Sequence, residues 1–153
     1  MSGRNQRDKM KIVRVPIVAA ALMSACPAIA GDLAPADRAM LQRQIDKVVT
    51  ALKAGGSEKA VSGFFASSKM LKPDDATLVN LRKGLTSAFS IYGRVTACAP
   101  AGWNSYSAIV VSHQMVCAHE KYATRWKLTF AKLSDGWSAI AFKFDDKITD
   151  GGF

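Results

Sequence analysis

Apolar residues recur at two different spacings along this chain, and the change of spacing divides it in two. Met40, Leu41, Ile45, Val48, Val49 and Leu52 fall on one side of a 3.6-residue repeat, which predicts an amphipathic helix. Pro35 suits the first turn of that helix, Asp37 lies near its positive end, and Gly55-Gly56 ends it. SEKAVSGFF predicts a shorter helix with Ser57 as its cap. A third is expected to begin at Pro73, with Asp74 and Asp75 in its first turn and Leu78, Leu81, Leu85 and Phe89 along one side. From Ile91 the period falls to two. IYGRVTACA, SAIVVSHQMVCAH, YATRWKLTFAKL and GWSAIAFKF read as four strands, separated by Pro-Ala-Gly, His-Glu-Lys and Ser-Asp-Gly turn chemistry. Short connections make this an antiparallel meander. The longest helix is expected to cover its apolar face, with Trp126, Leu128, Phe130, Ile140, Phe142 and Phe144 beneath. The fold class is therefore α+β: N-terminal helices packed on a curved four-stranded antiparallel sheet.

The first thirty residues fit neither repeat. Arg4, Arg7, Lys9, Lys11 and Arg14 precede the run VPIVAAALM, and small residues close with Ala28-Ile29-Ala30. A charged end, an apolar stretch too short for an ordinary span, and Ala-x-Ala are the parts of a secretory signal peptide, with cleavage expected between Ala30 and Gly31. Met10-Lys11 makes the more ordinary opening, so residues 1–9 read as an over-long start. Ser24-Ala25-Cys26 is similar to the end of a lipobox, but Met23 stands where an aliphatic residue belongs, and Pro27 follows. Lipidation at Cys26 is the minor alternative to a freely periplasmic or secreted product. Residues 31–153 then form a single domain of 123 residues with one core.

Charge changes on processing. The chain carries 21 basic and 12 acidic residues; five and one of these lie in the first thirty, leaving 16 and 11, a net charge of +5. The remaining bases are interspersed with aspartates, as on a solvated surface and not as in a nucleic-acid groove. No later segment resembles a membrane span, so stable insertion after processing is not expected.

The order of helix, short helix and helix, then Tyr92-Gly93, Trp126, Asp135-Gly136-Trp137 and Phe144-Asp145-Asp146, resembles small exported domains of the nuclear transport factor two-like (cystatin-like) superfamily. The resemblance spans roughly residues 34–149. It implies a cone: a bent sheet wrapped round helices and open at one end. Enzymatic members place an aspartate or histidine there, in an apolar cavity that shifts its pKa. The superfamily includes isomerases, dehydratases, transport factors and domains with no known activity, so the fold alone does not select a function.

Candidate chemistry is sparse. Ile109, Val111, His113, Met115, Cys117 and His119 share one face of the second strand, which places His113 among apolar neighbours. That is the position of a pocket base, and equally of a core-edge histidine bonded to a backbone carbonyl; the second reading is preferred, because no carboxylate can be set beside it. Tyr92 is the other weak acid–base candidate. His113, Cys117 and His119 do not make a zinc set, and no metal or cofactor is expected. Asp145, Asp146 and Asp150 lack the frame of a calcium loop or a hydrolase dyad. Nucleophile-elbow, phosphate-loop and dinucleotide signatures are absent. Trp126 reads as core before pocket wall, whereas Trp103 and Tyr106, on an expected loop beside Pro100 and Gly102, are candidate contacts for a ligand or partner.

The cysteines Cys98 and Cys117 pose a question of register. Export favours a disulfide. A turn centred between Ala101 and Gly102 places Cys98 opposite Ser105 and leaves Cys117 roughly 40 Å along the strand; a loop centred between Ser105 and Tyr106 still leaves roughly 13 Å. A turn near Ser107 or Ala108, drawing Trp103 and Tyr106 into the first strand, sets the two cysteines opposite each other. Sequence leaves that choice open. The expected function is ligand or partner binding without catalysis; the alternative is a small cofactor-free acid–base enzyme using a cone pocket. Neither reading specifies the ligand or partner, and a homodimer is compatible with both.

Overall fold

The computed structural model describes residues 33–68, 71–72 and 74–148. The segment holding Cys26, Ala30 and Gly31 lies outside them, as do Pro73 and Asp150. Three helices precede four strands: α1 Pro35–Lys53, α2 Ser57–Phe65, α3 Ala76–Tyr92, β1 Val95–Ser107, β2 Val110–His119, β3 Ala123–Leu133 and β4 Gly136–Asp145. The strands form an open antiparallel meander in the order β1-β2-β3-β4.

α1 buries Leu41, Ile45, Val48 and Leu52, and Met40 and Val49 flank that stripe half-buried. Its boundaries follow the chemistry of Pro35 and the Gly55-Gly56 pair, whose amides bond back to Leu52 and Ala51. α2 starts one residue earlier in capping terms than expected: Gly56 takes the cap position, and the Ser57 hydroxyl pairs across to Thr86 at 3.0 Å instead of capping. α3 starts at Ala76, not Pro73, because the Asp75 carboxylate accepts from the Thr77 amide at 2.8 Å and so defines the first turn. Ile91 and Tyr92 complete the last turn of α3 and are not strand residues. Gly93, at φ 83°, ends the helix, and a Cβ there would lie 2.7 Å from Glu120 Cβ.

The inner face of the sheet holds Val111, Met115 and Cys117 from β2 and Trp126, Leu128 and Phe130 from β3, all at most 2 % exposed. Phe64 of α2 packs edge-on against both Phe130 and Phe142, fastening the short helix over β3 and β4. A bulge opposite Thr129-Phe130 sets Ala139 opposite Phe130 and leaves Ile140 outside the pairing. Ile140 is therefore only half-buried, and Ala139 takes the core place expected of it. α1 lies against β1 and β2 along its middle, and its first turn reaches β3, where Asp37 is joined to Lys132 at 3.1 Å.

The largest difference from the sequence reading is in β1, which runs straight through Pro100-Ala101-Gly102. These residues form a bulge, with Gly102 at φ 135°, and the hairpin turns at Ala108-Ile109. Trp103 and Tyr106 thus belong to a strand, not a loop. In this register Cys98 faces Cys117, and their sulfurs are joined at 2.06 Å.

Candidate ligand cleft

Between α1 and the β1–β2 hairpin lies a cleft of about 120 Å³. α1 contributes Gln42, Ile45, Asp46 and Val49; β1 contributes Cys98, Ala99 and Pro100; β2 contributes His113 and Met115. The α1 residues are one helical turn apart in pairs, which is why two polar and two apolar side chains reach the same opening. The Asp46 carboxylate accepts a 2.9 Å hydrogen bond from the Gln42 amide.

His113 is 2 % exposed, and its Nδ1 has no hydrogen-bond partner. It stands opposite Trp103 in the ladder, with ring centroids 4.8 Å apart. Burial pushes its pKa below the usual imidazole value, and the Asp46 charge opposes that shift only in part. The imidazole is thus held in its neutral form. Trp103 is half-buried against His113 and Phe130, so it is a wall of the core and not a projecting tip.

The backbone-bonded histidine is the other one. His119 Nδ1 lies 2.9 Å from the Gly93 carbonyl, which only accepts, so Nδ1 carries the proton. Its Nε2 then accepts a hydrogen bond from the Thr124 hydroxyl at 2.8 Å, and the Trp126 indole donates to the same hydroxyl oxygen at 2.6 Å. These bonds pair every polar hydrogen of a buried Trp–Thr–His run. They also place Trp126, fully buried, away from any ligand. Cys117 is spent in the disulfide, and among the described residues no three His, Cys, Asp or Glu side chains are grouped to hold a metal.

Tyr92, at the end of α3, does not line the cleft. It donates to Asp146 at 2.7 Å and stacks on Tyr122, and the bond to Asp146 raises its pKa. A phenol held protonated in this way is a poor base. Tyr106 lies on the outer face of the sheet, 54 % exposed, where the Ser112 hydroxyl donates to it weakly at 3.4 Å and the Lys127 ammonium stands 5.2 Å from its ring centre. Lys127 and Ser112 draw its pKa down. The structure therefore separates the candidates: His113 lines the cleft, Trp103 packs against the His113 ring without lining it, and Tyr92, Tyr106 and Trp126 take no part. Gln42 and Asp46 are the cleft residues that the sequence reading missed. Their signal is faint but real, a polar pair four apart bordering the apolar stripe of α1.

No protein-family model and no curated protein matches the chain. Solved structures do. A domain of unknown function with a cystatin-like fold from Nostoc punctiforme aligns with a TM-score of 0.52 and 13 % identity, over 76 % of this chain and 81 % of that one. A DUF4783 family protein from Bacteroides uniformis aligns at 0.47 and 13 %, over 66 % and 94 %. A proposed dehydratase of the NTF2-like family from Streptomyces avermitilis aligns at 0.49 and 9 %, over 74 % and 97 %. The fold is cystatin-like.

Proposed function

We propose, from a cystatin-like fold with a small cleft between α1 and the β1–β2 hairpin, that this is an exported domain that binds a small ligand there without transforming it. One observation carries the reading: a buried imidazole borders the cleft with a ring nitrogen that has no hydrogen-bond partner among the described residues. A buried polar atom left unpaired costs about 1–3 kcal/mol, a penalty that a ligand able to hydrogen-bond to it removes. The walls beside it are apolar, as small-molecule sites are.

Acid–base catalysis at His113 is the second reading, favoured by the position of that ring on the inner face. It requires a partner to orient the imidazole and hold its proton, and Asp46 acts on the ring only through its charge. Binding needs no such partner and is preferred. Export, with residues 1–30 removed between Ala30 and Gly31 to give a periplasmic or secreted product, belongs to the same proposal. Its support is the Cys98–Cys117 disulfide, with Cys117 fully buried, since such bonds persist in oxidising compartments. Among the described residues no helix is long and apolar enough to cross a membrane.

Mass spectrometry of protein recovered from an exporting host tests both parts. The expected denatured mass begins at Gly31 and is about two hydrogens light. The native spectrum carries a small adduct, lost in Val49→Trp, where the indole fills the cleft. A mass retaining residues 1–30, or a lipid on Cys26, contradicts free export. An adduct unmoved by Val49→Trp contradicts the cleft, and a ligand recovered chemically altered favours the enzyme.

A further inference from the structure

We infer that the cleft under α1 selects a small organic cation, an amine with a compact apolar body, over neutral and anionic molecules of the same shape. This rests on the reading of the cleft as the ligand site and adds to it the sign of the ligand's charge.

Charge provides the first argument. Asp46 is the one acidic side chain lining the cleft, and no lysine or arginine lines it. A carboxylate or phosphate entering here meets a like charge and no counter-ion, whereas an ammonium meets Asp46. Hydrogen bonding provides the second. The His113 ring is neutral because burial opposes its protonation, so an unpartnered Nδ1 can accept a hydrogen bond that a ligand donates. An ammonium brings three donors and no acceptor, which suits an imidazole nitrogen and a carboxylate in one opening. Asp46 is itself steadied at the mouth by Gln42.

Size and lining define the rest of the ligand. A volume of about 120 Å³ is slightly below the roughly 150 Å³ that accommodates one benzene. Ile45, Val49, Pro100 and Met115 offer apolar contact to a branched chain of about four carbons. A larger body would have to protrude.

The test titrates isotopically labelled protein with isobutylamine, isobutanol and isobutyrate in turn, following the nuclear magnetic resonance signals of Val49, Ala99 and Met115. The amine is expected to half-saturate those signals at a concentration about five-fold below that of the alcohol, the advantage of one partly exposed ion pair, with the carboxylate weakest. Asp46→Asn, which removes the cleft's one carboxylate, should abolish the amine's advantage, so that amine and alcohol half-saturate at the same concentration. Equal binding of amine and alcohol, tighter binding of the carboxylate, or an amine preference that survives Asp46→Asn overturns the inference while leaving the cleft a ligand site. Failure of all three to move the cleft signals overturns both.

Discussion

Thr124 shows how much can depend on one hydroxyl. It is fully buried and serves two neighbours at once, accepting from Trp126 and donating to His119. Thr124→Val keeps the shape and removes both bonds, so two buried polar atoms lose their partner. The expected loss is about 3 kcal/mol of unfolding free energy in a urea titration, with Thr124→Ser retaining most of it. His113 makes the opposite case, a buried polar group already short of a partner. Its folded pKa lies below the 6.5 of a free imidazole, so between those two values the unfolded chain binds more protons than the folded one. Its contribution is complete above 6.5 and is lost as pH falls through the folded value. Wild type should therefore lose stability on acidification through this window faster than His113→Gln, by chemical denaturation at a series of pH values. Parallel curves would mean that the imidazole is not desolvated.

Among the elements, the β1–β2 hairpin governs the site. Its turn at Ala108-Ile109 and the bulge at Pro100–Gly102 bring Cys98 opposite Cys117 and Trp103 opposite His113. Closing a loop between cysteines 19 residues apart should contribute about 3 kcal/mol by restricting the unfolded chain. Reduction, or Cys98→Ser with Cys117→Ser, should lower the urea midpoint correspondingly, and an unchanged midpoint would refute that contribution. The helices and the last three strands were legible because periodicity reports burial directly, as in the Leu41–Leu52 stripe and the alternation from Val111 to His119. The length of β1 was not. Pro100 and Gly102 signal a turn in the local code, yet in an edge strand the same residues are accommodated as a bulge, and pairing with β2 decides between the two. The disulfide was thus readable only as a conditional on the turn. The carbonyl-bonded role expected of His113 falls to His119 for a similar reason: β2 alone cannot reveal that Gly93 and Thr124 meet His119, nor that Asp46 comes near His113 without bonding to it.

For the whole molecule, the helices close one face of an open sheet, and the space left between α1 and the hairpin is the proposed ligand site. The aromatic residues that looked like a recognition tip are divided by the sheet itself, Trp103 inward and Tyr106 outward, so the binding claim comes to rest on the cleft alone. The two histidines provide an internal comparison, one with an unpartnered nitrogen beside the cleft and one with both nitrogens bonded beneath α3. The most direct measurement is a long-range nitrogen–proton spectrum of both imidazoles near pH 7.5, before and after addition of a mixture of small apolar amines, alcohols and carboxylates. A ligand cleft at His113 predicts that its Nδ1 resonance moves while both nitrogens of His119 stay fixed. A shift confined to His119, or none at His113, would contradict it.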